Sequence, residues 1–326
     1  MENYLLSQSN SLLLVISISL IFSFLGIFYS KQFKGLSNYL TANRNIESFS
    51  LTLSLVASAL GAWILFGPAS AATWGGMGAV IGYALGTAFP MIAFIFLGKK
   101  IRKDFKKGST LIEFVRKKFG KSLFKLVLLM SIFYMFIFLC AELTAVAFLI
   151  NYISGTELWI TSLIIIISTL VYTLYGGLRA SIFTDNIQMI VIFILLIVSF
   201  NYILNFNADQ FSLSFIKEKS PHLVSSNYLP SYTAGLTFFI AVAATNLFHQ
   251  GNWQRVYAAK NFETLKKSLL VSFFIIIPIV FFMGFSGLVA VSVNSKVIPD
   301  LGFFTLLLNE NTKYLSLLIV ILALAL

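Results

Sequence analysis

Long apolar segments separated by short polar ones recur along the whole chain. Eight of them have about the 20 residues that an α-helix needs to cross a bilayer, and a ninth has only 14. We place these spans at residues 10–29, 49–75, 78–98, 122–150, 158–176, 182–204, 232–250, 268–293 and 313–326. No segment shows the short alternating pattern of a transmembrane β-strand. The pattern predicts an all-α polytopic membrane protein of about nine helices, the last of them partial.

Composition and charge agree with this class and add an orientation. Hydrophobic residues make up 58% of the 326 residues and charged residues 11%. Of the 23 lysines and arginines, 19 fall in the loops of one side and four in the loops of the other. Because positive residues mark the cytoplasmic side, we expect a multi-pass protein of the cell membrane with its N-terminus outside.

The net charge of +11 does not indicate a nucleic-acid partner. The basic residues lie beside membrane spans, where they anchor the protein, and the run KKIRKDFKK can also contact anionic lipids. The first span has no basic residue before it and no A-x-A site after residue 28, so we do not expect a cleaved signal peptide. The ending ILALAL favours a chain that is cut inside its ninth helix over a natural C-terminus in a half-buried helix.

The second span contains the stretch SLVASALGAWILFGPASAATWGG, which is unusually easy to unwind. It carries no charge, but 13 of its 23 residues are glycine, alanine or serine, and a Gly67-Pro68 pair follows Gly61. Non-helical backbone at membrane depth is tolerated only inside protein or beside a water-filled cavity, and transporters use it to present carbonyls to cations. The stretch is typical of a broken transporter helix, although a small-residue packing face with a proline kink would look similar.

Two acidic residues fall inside predicted spans, where an unpaired charge costs about 2.5–3.5 kcal/mol. Asp185 lies near the start of the sixth span, where it can cap the helix or pair with Arg179. Glu142 has no basic neighbour in sequence, so it needs a partner on another helix, water or a proton. Glu142 is therefore a candidate charge or proton relay.

A polar cluster ends the seventh span in NLFHQGNWQRVYAAK. Arg255 and Lys260 are explained as anchors at the cytoplasmic surface. His249 and Gln250 precede Gly251 and remain at membrane depth, so they are either packing residues or part of a binding site.

Four motifs, in order, resemble the sodium:solute symporter family over residues of about 35–270. SLVASALGAWILFGP resembles the first broken helix of its proline-permease type, and KKGSTLIEFVRKKFG is similar to a conserved cytoplasmic loop. GGLRASIFTDNIQM and NWQRVYAAK are similar to two further segments of the family. The resemblance implies a leucine-transporter-type inverted-repeat fold in a single transmembrane domain, residues 1–326. Its parts would be an extra N-terminal helix (1–30), a first repeat (49–204) and the start of an incomplete second repeat (232–326).

The resemblance also implies site residues. It implies a cation site formed by the carbonyls of Ala57 and Leu60, with hydroxyl ligands beyond Leu326 and Asp185 in cation coupling. It implies a solute pocket formed by Gly61, Trp63, Ile64, Tyr83, His249 and Gln250. The chain has Ala59 where proline-type members have an acid and sugar-type members an asparagine, which removes one oxygen from the region of the cation.

We therefore predict a secondary active symporter that couples influx of a cation, expected to be Na⁺, to uptake of a small polar organic solute. The solute would be an amino acid, an amide or urea-like compound, or a monocarboxylate. Proton coupling, with Glu142 as the relay, and a symporter-like membrane sensor remain alternatives. We expect no enzyme activity, because the intramembrane acids are isolated and no nucleophile, metal or phosphate-binding motif occurs, and no cofactor apart from Na⁺ as coupling ion.

Overall fold

The computed structural model describes residues 4–105, 108–206, 209–307, 317, 319–321 and 323–324, and it confirms the predicted all-α fold. These residues contain no β-strand. In chain order the helices are α1 (Gln8–Ser30), α2 (Leu36–Thr41), α3 (Ser48–Ala59), α4 (Gly67–Asp104), α5 (Leu111–Ser154), α6 (Leu158–Phe206), α7 (Leu213–Lys219), α8 (Leu229–Phe248), α9 (Gln250–Ala258), α10 (Phe262–Val293) and α11 (Gly302–Leu307). Four short 3₁₀ segments are Ala42–Arg44, Ala62–Leu65, Pro221–Val224 and Pro299–Leu301.

Six of these helices, α1, α4, α5, α6, α8 and α10, are long and apolar enough to cross a membrane. The ninth predicted span, residues 313–326, lies largely outside the described residues. The second predicted span is divided among α3, the 3₁₀ segment Ala62–Leu65 and the first turns of α4. The division follows from a break in the helix, which is described with the site below.

Three of the long helices, α4, α5 and α6, each turn at one glycine. Gly76, Gly120 and Gly177 have φ angles of 59°, 84° and 59°, in a region that residues with a Cβ atom rarely adopt. Gly76 and Gly177 each separate two consecutive predicted spans. The α4 helix therefore contains the end of the span 49–75 and the whole of 78–98, and α6 contains the whole of 158–176 and of 182–204, in each case joined without a loop.

Most of the lysines and arginines gather at one end of the helix bundle, which we call the basic end. It comprises residues 31–47, 99–105, 108–120, 177–181 and 255–267. Backbone bonds join its loops: the Ile46 N–H donates to the Ala258 carbonyl at 3.1 Å, and the Lys260 N–H donates to the Ile46 carbonyl at 3.0 Å. The Arg102 guanidinium donates to the Val256 carbonyl at 2.6 Å. The end of α4 is thus tied directly to α9.

The loops of the other end, residues 4–7, 155–157, 209–228 and 294–301, which we call the opposite end, also contact each other. The Leu6 N–H donates to the Ile153 carbonyl at 3.2 Å. The Tyr228 hydroxyl donates to the Trp74 carbonyl at 2.9 Å, which connects the start of α8 to the first segment of α4. The two ends of the bundle are therefore distinct surfaces, one basic and one with few basic residues.

Glycines allow α4 and α8 to approach closely. A Cβ atom at Gly78 would overlap the Ser231 carbonyl, and one at Gly82 would overlap the Gly235 carbonyl. The two α4 glycines are four residues apart and lie on one face of the helix, as in the small-residue packing of membrane helices. This close approach places Tyr83 of α4 against Phe238 of α8, with ring centroids 4.3 Å apart.

The α3 helix lies in the centre of the core. Most of its residues between Leu51 and Ala59 are buried. On one side α10 packs against it, where the Ser268 hydroxyl donates to the Ser48 carbonyl at 3.0 Å and the Ser272 hydroxyl donates to the Thr52 carbonyl at 3.4 Å. Any irregularity in α3 is therefore enclosed by protein, the condition under which a membrane tolerates it.

Candidate functional site

The α3 helix breaks where the sequence predicts it. It ends at Ala59, and Leu60 and Gly61 leave the helical conformation, with ψ angles of 38° and 178°. The chain then resumes as the 3₁₀ segment Ala62–Leu65. The break at Gly61 is confirmed. The Gly67-Pro68 pair, which was also expected to permit unwinding, lies where the interruption ends and α4 begins, because proline fits the first turn of a helix, where its missing N–H is not needed.

The break leaves backbone oxygen atoms inside the protein. The Leu60 carbonyl accepts no hydrogen bond from any described residue. The Ala57 carbonyl accepts only a 3.2 Å bond from the Leu60 N–H, which is three residues away rather than the four of an α-helix. These are the two carbonyls proposed from the resemblance as cation ligands. Ala59 is 1% exposed and adds no oxygen to the break. Carbonyl oxygens suit hard cations, but two neutral oxygens alone compensate little of a cation's charge.

Asp185 lies on the basic side of the break in a buried ion pair. Its Oδ2 atom is 2.5 Å from Nη2 of Arg255, with side-chain exposures of 14% and 8%. The same Oδ2 accepts a hydrogen bond from the Ser54 hydroxyl, and Ser54 in turn accepts a 2.6 Å bond from Nε of Arg255. Nη1 of Arg255 donates to the Gly251 carbonyl at 3.0 Å. The three side chains connect α3, α6 and α9.

Two expectations about these residues are wrong. Arg179 does not pair with Asp185: its Nη2 donates to the Ala42 carbonyl at 3.0 Å, and its guanidinium lies 4.0 Å from the centroid of the Phe33 ring. Arg255 is not a surface anchor, since only 7% of the residue is exposed. The buried position of Arg255 was missed because the residue lies only one helical turn after Gly251, whose carbonyl it binds, near the expected membrane boundary. Only the tertiary packing shows that this turn of α9 is inside the protein.

Next to the break lies a cavity of about 890 Å³. It is bordered by α4, α5 and α8 and by the 3₁₀ segments Ala62–Leu65 and Pro299–Leu301. The lining residues are Trp63, Phe66, Gly67, Ser70, Ala71, Trp74, Tyr83, Tyr134, Ile137, Phe138, Cys140, Ala141, Glu142, Thr144, Ala145, Phe148, Phe238, Val242, Thr245, Asn246 and Asp300. Asp300 belongs to the opposite end, so the cavity extends from that end to the broken helix. Its volume is in the range of small-molecule sites.

Aromatic rings form much of the cavity wall. Trp63 and Tyr83 stack with centroids 5.8 Å apart, and Tyr83 stacks on Phe238 at 4.3 Å. On the α5 side Tyr134 and Phe138 are 6.1 Å apart. Eight of the 21 lining residues are aromatic. Such walls bind apolar groups by contact and cations through the electron-rich ring faces.

Glu142 lies where the cavity meets the broken helix. Its carboxylate faces the backbone amides of Ala62 and Trp63, but its Oε1 atom is shielded and has no hydrogen-bond partner of good geometry among the described residues. A Cβ atom at Gly61 would overlap Oε1 and lie 2.6 Å from the carboxyl carbon. Glycine at this position therefore leaves the space that the Glu142 carboxylate fills.

The six residues proposed for solute binding are divided between the cavity and its surroundings. Trp63 and Tyr83 line the cavity, and Gly61 lies behind Glu142. Ile64 is fully buried and does not line it. Their role in binding stays a prediction. Other lining residues, among them Tyr134, Phe138, Phe238, Thr245 and Asp300, were missed, because aromatic residues and loop acids give no signal in a chain this rich in phenylalanine.

A second break separates α8 from α9. His249 has an extended conformation, with φ −64° and ψ 117°, between the two helices. Its ring packs against Phe138 with centroids 5.0 Å apart, and its Nδ1 has no partner in the described part of the chain. Both polar atoms of the Gln250 side chain are also buried without a described partner. His249 therefore lies behind the cavity wall formed by Phe138, and neither His249 nor Gln250 lines the cavity.

Comparisons with known proteins agree on one class. The model of the sodium:solute symporter family matches residues 39–323. The spermidine transporter DUR31 of Candida albicans is 26% identical over 322 residues, which are 97% of this chain and 60% of that protein. The sodium/glucose cotransporter of Vibrio parahaemolyticus is 26% identical over 305 residues, 85% of this chain and 54% of that one. The chain therefore spans little more than half the length of these relatives.

A solved structure shows the same fold. A Na⁺-coupled sialic acid symporter, in a substrate-bound outward-open state, superposes with a TM-score of 0.77 over 97% of this chain and 69% of its own, at 16% identity. The fold is therefore of the leucine-transporter type, as predicted. All three proteins are transporters rather than enzymes.

Proposed function

The chain belongs to the sodium:solute symporter family, and on that premise we propose that it is a secondary active symporter coupling Na⁺ influx to uptake of a small polar organic solute. The observation that carries the proposal is the broken α3 helix: its Leu60 carbonyl accepts no hydrogen bond from the described residues, and Trp63 in the 3₁₀ segment after the break lines a cavity of about 890 Å³. A cation and a solute bound on the two sides of one break would each depend on the same local backbone. That shared dependence is a physical basis for coupling.

The charge distribution supports an orientation. We propose a location in the cell membrane with the basic end in the cytoplasm and the N-terminus outside, in line with the positive-inside rule. The cavity, which extends to Asp300 at the opposite end, would then face the exterior.

Two broken helices support alternating access as the mechanism. Cation binding at the Ala57 and Leu60 carbonyls, with Asp185 nearby on α6, would stabilise one arrangement of the break. Solute in contact with Gly61, Trp63 and Tyr83 would favour closure of the cavity. Ligands shift such an equilibrium only by binding one state better than the other, so neither alone needs to drive the whole cycle. His249 and Gln250 at the second break would respond when α5 and α8 move.

The relatives leave the solute class open. The two relatives and the solved structure are named for spermidine, glucose and sialic acid, which are positively charged, neutral and negatively charged. The classes expected from sequence were amino acids, amide or urea-like compounds and monocarboxylates.

Uptake into proteoliposomes tests the proposal. The protein, expressed from its full reading frame, is reconstituted, and a panel of labelled amino acids, polyamines, amides, sugars and monocarboxylates is offered with an inward Na⁺ gradient or with K⁺ replacing Na⁺. We expect at least one solute to accumulate only with the Na⁺ gradient. A protonophore is added in a parallel arm to collapse any proton gradient.

Two results would overturn parts of the proposal. Uptake that is equal without Na⁺ but lost with the protonophore would contradict sodium coupling and favour proton coupling, with Glu142 as the relay. Failure of every solute under every gradient, with correctly inserted protein, would contradict transport itself. Protein-free liposomes supply the background for both.

A further inference from the structure

The charges that line the cavity are all of one sign. Among the lining residues that the structure describes, Glu142 and Asp300 are the carboxylates, and there is no lysine, arginine or histidine. Most of the 23 basic residues of the chain lie at the basic end, and none of them offsets these two acids within the described lining. An anionic solute would meet like charges in this cavity, and a cationic solute would meet opposite ones.

The broken helix also disfavours an anionic solute relative to a cationic one. In transporters with this kind of break, the free N–H groups of the half-helix point at an anionic group of the substrate. Here the Glu142 carboxylate faces those amides at Ala62 and Trp63. The chain's own carboxylate therefore occupies the position that would otherwise attract an anionic solute.

One oxygen of the Glu142 carboxylate lacks a hydrogen-bond partner of good geometry among the described residues. This atom, Oε1, is shielded from solvent. Leaving such an acceptor unpaired is unfavourable in a protein interior. Because Glu142 also lines the cavity, a donor N–H from a solute would bind to its carboxylate, and a positively charged donor would do so most strongly.

The aromatic wall near Glu142 suits the same kind of ligand. Trp63, whose amide faces the carboxylate, stacks on Tyr83, and Tyr83 stacks on Phe238. Tyr134 and Phe138 complete the α5 side. Ring faces within about 6 Å attract ammonium and guanidinium groups, and the effect increases when the site is dry. A carboxylate beside aromatic rings is a typical environment for an organic cation.

We infer that the solute carries a positively charged nitrogen, as a primary amine or amidine does, and that Glu142 is the carboxylate that binds this group against the aromatic wall. The inference rests on the proposed transport function, whose substrate class it specifies. Asp300, exposed at the opposite end of the cavity, would add a second negative charge on the entry route and favour compounds with more than one amine.

Ligands matched in length but different in charge test the inference by binding alone. Purified protein in detergent with Na⁺ is titrated with 1,4-diaminobutane, 1,4-butanediol and succinate, which share four carbons and carry two positive, no and two negative charges. Spermidine, agmatine and glucose extend the series. Binding is followed by tryptophan fluorescence, because Trp63 and Trp74 line the cavity. We expect the amines to bind and the diol and dicarboxylate to leave the signal unchanged.

Glu142→Gln then tests the residue, since it removes the charge and keeps the size. The matched control is Glu157→Gln, because Glu157 is exposed, does not line the cavity and contacts Trp159. We expect Glu142→Gln to weaken amine binding by about 30-fold or more and Glu157→Gln to leave it within twofold. If Glu142 only capped the 3₁₀ segment, Glu142→Gln would lower the unfolding temperature while amine affinity stayed the same, and the inference would be wrong.

The outcomes separate this inference from the proposed function. Selective binding of the diol, glucose or succinate by the unmodified protein would overturn it even if every variant failed to fold. Na⁺-driven uptake of a neutral or anionic solute, unaffected by Glu142→Gln, would support transport and contradict a cationic solute. Amine binding without gradient-driven uptake would support the inference and contradict transport.

Discussion

Two carboxylates lie inside the membrane-spanning bundle, and their surroundings are opposite. Asp185 is held by Arg255 at 2.5 Å and by the Ser54 hydroxyl. Glu142 has no basic partner in the described structure, and its Oε1 makes no hydrogen bond of good geometry there. The first acid is already paired by the protein, whereas the second faces a cavity that a ligand can enter. The comparison shows that the identity of a buried acid does not determine its role, because the role depends on what the fold places beside it.

The paired acid connects three helices that are far apart in sequence. Ser54 belongs to α3, Asp185 to α6 and Arg255 to α9, immediately after the second break. Their contacts bring the basic-side portions of the two broken helices together. Because Asp185 is also the residue implied in cation coupling, a cation that attracted its carboxylate would compete with Arg255 for it.

The largest effect is expected at Gly61, where the unpaired acid touches the broken helix. Gly61→Leu should abolish uptake, because its first side-chain carbon would already overlap the Glu142 carboxylate. The measurement is solute uptake in proteoliposomes containing equal amounts of inserted protein. Gly302→Ala is the control, since its nearest neighbours would be at ordinary contact distances of 3.4 Å and more. Normal uptake by Gly61→Leu would contradict the description of the break.

The paired acid should matter more for stability than for ligand selectivity. Arg255→Met leaves Asp185 buried without its cation, which typically costs about 3–5 kcal/mol of unfolding free energy. The double variant Arg255→Met with Asp185→Leu should lose clearly less than the sum of the single variants, because neither charge is left unpaired. Denaturant unfolding in detergent micelles measures all four proteins of this cycle. Additive losses would show that the pair does not interact.

A smaller effect is expected at Ser54, which bridges the pair. Ser54→Ala removes the acceptor of the Arg255 Nε–H and one donor to Asp185, at a cost of about 2 kcal/mol in unfolding free energy. Ser58→Ala is the control on the same helix, because its hydroxyl donates only to the Ser54 carbonyl at 2.9 Å. Equal losses for the two serines would show that the bridge contributes nothing specific.

The smallest effect is expected for an ion pair at the surface. Lys260 and Glu47 are 3.2 Å apart at the basic end, with side chains 50% and 75% exposed. Lys260→Ala should change the unfolding free energy by about 0.5 kcal/mol or less, because solvent screens exposed pairs. A loss as large as that of Arg255→Met would mean that burial is not what separates the two pairs.

Periodicity and local chemistry were sufficient for much of the fold. The apolar segments predicted the helices, and Gly61 predicted the break in α3. The Gly67-Pro68 pair marks the end of the interruption, because the same residues that weaken a helix in its middle are favourable in its first turn. Local sequence could not decide between these positions, since the helix start depends on where the previous helix ends.

The site was predictable only in part, and for a physical reason. Trp63 and Tyr83, which the family resemblance implies for the solute pocket, line the cavity, whereas His249 lies behind Phe138 and Gln250 does not line the cavity. Arg255 looked like a surface anchor because an arginine near a membrane boundary usually is one. Its burial depends on the packing of α9 against α3 and α6, and the residues next to Arg255 in the sequence do not indicate this packing.

By itself the sequence determined the membrane class, the sidedness of the charges and the weak point in α3, because each of these follows from short-range hydrophobicity, charge and backbone freedom. It also identified two acids that required an explanation. Only the tertiary structure decided which acid is paired and which faces the cavity. Pairing inside a membrane protein depends on side chains from distant helices meeting at hydrogen-bond distance, and residues 54, 185 and 255 are brought together by the fold alone.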